Sequence, residues 1–205
     1  MKKWMLLLAL ALCLVMTGCA SGEGEEAAKN ETVDVAAAAE GEIAYSEYAW
    51  GTSYEEIEAD KITDGMELGE DYALYEDTGD FAKELILNGE LEGNSCQYYY
   101  SFNDKDELVS VMVLLNCKLN DEEMAQLFID QVEALKDQYG DPDAVSNDYE
   151  GDGYTDMKTY IDDVKSEGSF AMWSDSVGNQ VVASAYRSSS FIEALVRCSV
   201  KGYGE

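Results

Sequence analysis

Histidine is absent from the chain. With it go the usual general base of serine and cysteine hydrolases and the commonest zinc and copper ligand. Positive charge is scarce too: 13 Lys and Arg stand against 43 Asp and Glu, a formal charge of −30. Lys and Arg on phosphate supply most of the affinity of nucleic-acid binding, so that partner class is excluded. The same charge is repelled by anionic headgroups. It leaves basic proteins, cations and neutral glycans as partners, although solubility alone is the simpler account. There is one proline, Pro142, and one long apolar run, Trp4 to Met16. As a helix that run rises only ~20 Å, short of a ~30 Å hydrocarbon core, so it reads as the apolar part of a signal peptide.

Lys2 and Lys3 precede the run and Val15-Met16-Thr17-Gly18-Cys19-Ala20 closes it. The closing residues resemble the lipobox of bacterial lipoproteins, with Met16 where Leu is usual. The resemblance implies cleavage before Cys19, acylation of that cysteine with palmitate-type chains, and a membrane anchor on the extracytoplasmic face. Each buried methylene of such an anchor contributes ~0.8 kcal/mol. The alternative is an ordinary secretory signal cut after Ala20. Cleavage removes two lysines and no acid, so the mature chain is more acidic still.

Residues 20 to 49 are rich in Ala, Gly, Ser and Glu and lack hydrophobic periodicity, the composition of a disordered tether of roughly 30 Å. The expected organisation is therefore a signal peptide over 1–18, lipidated Cys19 and an acidic tether over 19–49, and a single α+β domain over 50–205.

Within that domain, Ser53 with Glu56 three residues on predicts a capped helix carrying Tyr54, Ile57 and Ile62. A short strand at Tyr72–Tyr75 is expected next, then strands over Glu84–Leu91, Asn94–Phe102 and Leu108–Cys117. A two-residue loop at Asp104-Lys105 pairs Phe102 with Glu107, Tyr100 with Val109, Tyr98 with Val111 and Cys96 with Val113. This register gathers Tyr98, Tyr100, Phe102, Val109, Val111, Val113 and Leu115 on one apolar face. Asn120 and Glu123 form a second capping box. Met124, Leu127, Phe128, Val132, Leu135 and Tyr139 follow at helical spacing until Gly140-Asp141-Pro142. Met157, Tyr160, Ile161 and Val164 predict a shorter helix, with a strand as the alternative. Strands over Ser169–Ser174, Gln180–Arg187 and Phe191–Val200 complete the chain. One antiparallel meander sheet with two to three helices on one face accommodates this order. The two halves look faintly alike, each a capped helix followed by a meander.

Trp50-Gly51-Thr52-Ser53, the Tyr98–Phe102 and Leu108–Val113 strands around an Asp/Asn turn, and Leu135–Pro142 resemble uncharacterised lipoproteins of Gram-positive type. More distantly, the order of elements and the Tyr-Gly-Asp-Pro helix end are similar to BamE/SmpA–OmlA and β-lactamase-inhibitor-protein-like folds. That resemblance implies a binding or assembly module and offers no catalytic residues.

Few side chains read as a site. Asp148, Glu150, Asp152 and Asp156 echo the alternating oxygens of an EF-hand loop, with Gly153 at position six, where the sharp turn calls for glycine. Thr159 replaces the closing bidentate acid, so the segment reads as a solvated acidic loop with a structural calcium site as the alternative, and no other cofactor is expected. Tyr99 points away from Tyr98 and Tyr100. With Gln97 and Ser101 it forms an expected open sheet face for a protein or glycan partner, the alternative being an ordinary surface tyrosine. For Cys96, Cys117 and Cys198, a bridge to Cys198 and three buried thiols are both open; a nucleophile is disfavoured because burial raises a thiol pKa. The expected function is a non-catalytic, membrane-anchored extracytoplasmic binding or assembly module. Its alternative is a cell-envelope hydrolase with a carboxylate-based site.

Overall fold

A computed structural model of the chain describes residues 35–69, 83–91, 93–115, 119–146, 154, 156–188 and 191–201. The chain separates into two units, 1–31 and 32–205, and every described residue belongs to the second. Four helices are present among them: α1 (Val35–Ala38), α2 (Tyr54–Thr63), α3 (Asp121–Tyr139) and α4 (Met157–Glu167). The strands are β1 (Glu67–Leu68), β2 (Lys83–Leu91), β3 (Asn94–Phe102), β4 (Leu108–Leu115), β5 (Ala144–Ser146), β6 (Ser169–Ser174), β7 (Gln180–Ser188) and β8 (Phe191–Ser199). They form one sheet in the order β1-β2-β3-β4-β8-β7-β6-β5, antiparallel throughout. The expected α+β class and meander topology hold. The order is two four-strand meanders laid side by side and joined at β4 and β8.

The helices start where their caps direct. Asn120 Oδ1 accepts from the Glu122 and Glu123 amides at 3.0 Å each, and Glu123 accepts from the Asn120 amide at 3.1 Å. This reciprocal box satisfies donors that the first turn of α3 would otherwise leave open. The helix buries Met124, Leu127, Phe128, Ile129 and Val132 against β7 and β8, where α4 also packs. Each such side chain contributes about 1.5–3 kcal/mol on leaving water. The helix ends at Gly140, whose φ of 83° suits a residue without Cβ, and Trp173 Nε1 donates to the Gly140 carbonyl at 2.8 Å. Asp156 caps α4 by accepting from the Thr159 amide at 2.9 Å, which settles Met157–Glu167 as helix.

The β3–β4 register differs from the expected one by two residues. Tyr98 faces Val113 and Tyr100 faces Val111. The turn holds one residue more than a two-residue loop, because Asp106 takes a left-handed φ of 63° while the Asn103 amide donates to the Glu107 carbonyl at 3.0 Å. A second one-residue irregularity follows between Ser101 and Phe102. It lets both Leu108 and Val109 enter the core. Two single slips add to two, so face parity survives and the predicted apolar face is correct.

The domain begins earlier than the expected boundary at 50. Val35, Ala38 and Ile43 belong to the main core, so 35–49 is packed chain rather than tether. Its backbone is held from a turn far along the sequence. Asn179 Nδ2 donates to the carbonyls of Ala38 (2.8 Å) and Ile43 (3.1 Å), and the Ile43 amide donates to Asp175 Oδ2 (3.1 Å). Trp50 Nε1 returns to the Ile43 carbonyl at 3.1 Å. The expected strand at Tyr72–Tyr75 lies outside the described residues, and the edge strands β1 and β5 were not foreseen.

Candidate functional site

The residues expected to form an open face are covered. Gln97, Tyr99 and Ser101 are 4%, 5% and 3% exposed. They do lie on the face opposite Tyr98 and Tyr100, as the strand period requires. That face has its own small apolar cluster of Tyr99, Leu114 and Leu195, with Ile86, Met112 and Tyr186 packed against it. Tyr99 donates to Gln97 Oε1 at 3.2 Å, Gln97 Nε2 to Asn88 Oδ1 at 3.2 Å, and Ser101 to Glu84 Oε1 at 3.1 Å. The correction is therefore physical: wide side chains on adjacent strands shield one another and satisfy each other's polar atoms.

Of the other predicted residues, Cys19, Cys117, Asp148, Glu150 and Asp152 lie outside the described residues. Asp156 is occupied as the cap of α4. Among the described residues no group of three or more acids and cysteines could hold a metal ion. Cys96 and Cys198 are both buried and no bridge joins them. Burial, and secondarily the nearby Asp175 carboxylate, push the Cys198 thiol up to about 12. It is therefore not a nucleophile near neutral pH.

Sequence reasoning missed a tyrosine cluster on the helix-bearing face, because two of its members sit in the segment read as tether. Tyr100 on β3 is fully buried and forms its floor. Tyr45 and Tyr48 meet Tyr100 edge-on, with centroids 6.0 and 6.1 Å away and planes at 80° and 77°. Tyr98 lies nearly parallel to Tyr100 at 6.3 Å. These are the offset and T-shaped arrangements that the aromatic quadrupole favours. Tyr45, Tyr48 and Tyr98 are half-buried, so ring edges remain open to solvent. Lys61 on α2 stands 5.3 Å from the Tyr48 ring centroid and ion-pairs with Glu47. Tyr48 donates to Asp60 Oδ2 at 2.6 Å and Tyr98 to the Glu90 carbonyl at 3.3 Å. Beside this group Tyr54 packs on Phe102, with Lys83 Nζ 3.4 Å from its ring centroid.

Burial raises the pKa of each phenol in this cluster. Tyr45 is pushed up to about 12, and Tyr48, Tyr98 and Tyr100 also rise, with neighbouring carboxylates and phenols adding to the effect. At neutral pH they are donors and stacking surfaces rather than bases. The arrangement can recognise an amphipathic ligand. No known protein family matches the chain, and no curated protein or solved structure does either.

Proposed function

We propose that the chain is a lipid-anchored lipoprotein of the cell membrane, facing the extracytoplasmic side, whose folded domain is a non-catalytic binding or assembly module. One observation carries the anchoring. Lys2-Lys3, the short apolar run and Val15–Ala20 bring a basic start, a signal-length core and a lipidation cysteine together in one segment. Among the described residues no helix is long and apolar enough to cross a membrane.

The non-catalytic part has separate support. The carboxylate-based hydrolysis of the alternative reading would need an acid pair in which one member is kept protonated by burial. Among the described residues no Asp or Glu is buried as a whole residue, and the enclosed Glu193 Oε2 has no second carboxylate identified as its partner in an acid pair. The half-buried tyrosines offer contact area suited to an extracytoplasmic protein or glycan. Because Val35 is already packed chain, any spacer after Cys19 is shorter than the thirty residues expected.

Metabolic labelling with a radioactive fatty acid tests the anchor. The wild-type chain is expected to incorporate label and fractionate with membranes, and Cys19→Ser to lose both. Equal labelling of the two would overturn the reading.

A further inference from the structure

The segment Val35–Gly51 is a closed excursion. A Cβ on Gly51 would lie 3.0 Å from Val35 Cγ1, so the ends of the segment touch. After Ala38 it has no helix or strand, yet its side chains at 35, 38, 43 and 50 are buried. Compact loops with joined ends can move as units. This one is fastened by side chains instead of a ladder: by Asp175 and Asn179 on the β6–β7 turn, and on α2 by Asp60 with Tyr48 and Lys61 with Glu47. The fit is close, since a Cβ on Gly41 would lie 2.1 Å from Asp175 Oδ2 and 2.4 Å from Asn179 Nδ2. It is also incomplete: Asn179 is 0% exposed and its Oδ1 has no hydrogen-bond partner. A buried acceptor left unsatisfied disfavours the closed form relative to one in which water reaches it. Beyond Gly51 the chain stays with the sheet, because Leu108 donates to the Thr52 carbonyl at 3.0 Å. Gly51, at φ 91°, marks the boundary between the two parts, its own amide donating to the Leu108 carbonyl at 3.0 Å.

We propose that Val35–Gly51 is a latch loop that opens as one piece about Gly51, with Asp175 and Asn179 as its catch, uncovering Tyr98, Tyr100 and Cys96. Tyr45 and Tyr48 ride on the loop, so opening splits the tyrosine cluster into two halves. Cys96, buried close to Tyr45 and Tyr98, becomes a reporter. This inference concerns the domain alone and holds whether or not Cys19 is acylated.

The test is alkylation of the reduced full chain by N-ethylmaleimide without denaturant, with the Cys96 peptide followed by mass spectrometry. Asn179→Ala removes the Asn179 half of the catch and is expected to speed Cys96 labelling roughly tenfold. Val132→Ala removes volume from the α3 core, away from the loop. It is expected to lower Tm while leaving Cys96 labelling within about twofold of wild type. Equal acceleration by both variants, or none with Asn179→Ala, would refute the latch. Should Asn179→Ala not fold, hydrogen exchange of the wild type decides. The Ile43 amide should then exchange faster than the β7 amides and with weaker urea dependence. Identical rates and identical urea dependence would mean that the loop opens only on global unfolding.

Discussion

Asp121 ties three elements together, and its removal can be worked through. It is the first residue of α3. Oδ1 accepts from the Ile192 amide of β8 at 2.9 Å, and Oδ2 pairs with Lys165 of α4. An anionic acceptor for a backbone amide contributes about 1.5 kcal/mol or more. The Lys165 pair is partly exposed, at 24% and 28% for the two side chains, and adds about 0.5 kcal/mol. A negative charge in the first helical turn adds roughly 0.5 kcal/mol more. Asp121→Ala should therefore destabilise by about 2–3 kcal/mol, a fall in Tm of roughly 5–10 °C for a domain of this size. Asp121→Asn keeps the acceptor and should lose only about 1 kcal/mol. Although burial acts to raise the Asp121 pKa, the Lys165 and Ile192 hydrogen bonds and the Lys165 charge outweigh it, and the net shift is downward. A carboxylate with a lowered folded-state pKa contributes its full stability above the unfolded value, roughly 4. It loses that contribution as pH falls through the lower folded value. In urea melts the gap between wild type and Asp121→Ala should be level from about pH 5 to 7 and close below about pH 4. A gap that widens in acid, or an Asn variant as unstable as the Ala variant, would refute the reasoning.

Two further outcomes follow from the loop and the aromatic cluster. Gly41→Ala places a methyl group against Asp175 and Asn179 and should cost about 1–3 kcal/mol; an unchanged Tm in calorimetry would show that the catch is looser than described. Tyr45, Tyr48, Tyr54, Tyr98, Tyr100 and Tyr139 all have raised pKa values, each chiefly through burial. A phenol raised in the folded state contributes stability in full below the unfolded value near 10, and loses it as pH climbs toward the folded value. The share of phenolate absorbance that these six of the 14 tyrosines supply should therefore lag behind that of a denatured sample and rise with alkaline unfolding. A native titration in which all 14 tyrosines ionise smoothly near pH 10 would count against the burial of these rings.

The legible parts of the fold were those in which local chemistry acts alone. Asn120 and Glu123 name the start of α3 because the cap bonds are three residues long. The strands from β2 to β4 and from β6 to β8 are marked by alternation and turn residues. The β3–β4 register was readable in parity but not in number, since neither the left-handed Asp106 nor the irregularity at Ser101 leaves a mark that separates it from a shorter turn. The loop over 35–49 was illegible for a different reason. Its buried residues follow no period, and its backbone partners, Asp175 and Asn179, lie more than a hundred residues away. Half of the tyrosine cluster vanished from view with it. Tyr99 was placed on the correct face, but its burial depends on Leu114, Leu195 and Tyr186 meeting there, which no single strand reveals.

The mirrored strand order has a consequence for how the sheet is made. Six of its seven seams join strands that are neighbours in sequence, and only β4 with β8 does not, bringing Ser110 to Ser199. Closing that interval costs about 4 kcal/mol of chain entropy before any contact rewards it. Each meander can zip from its own hairpins, whereas the central seam must wait. During synthesis from the N-terminus, Leu-Val-Ser-Val-Met-Val-Leu-Leu of β4 therefore emerges long before its partner strand exists. An uncharged apolar edge in that state can pair with other chains. The last strand made is thus the one that seals the most adhesive edge, and a nascent chain stopped short of β8 would be a template for aggregation.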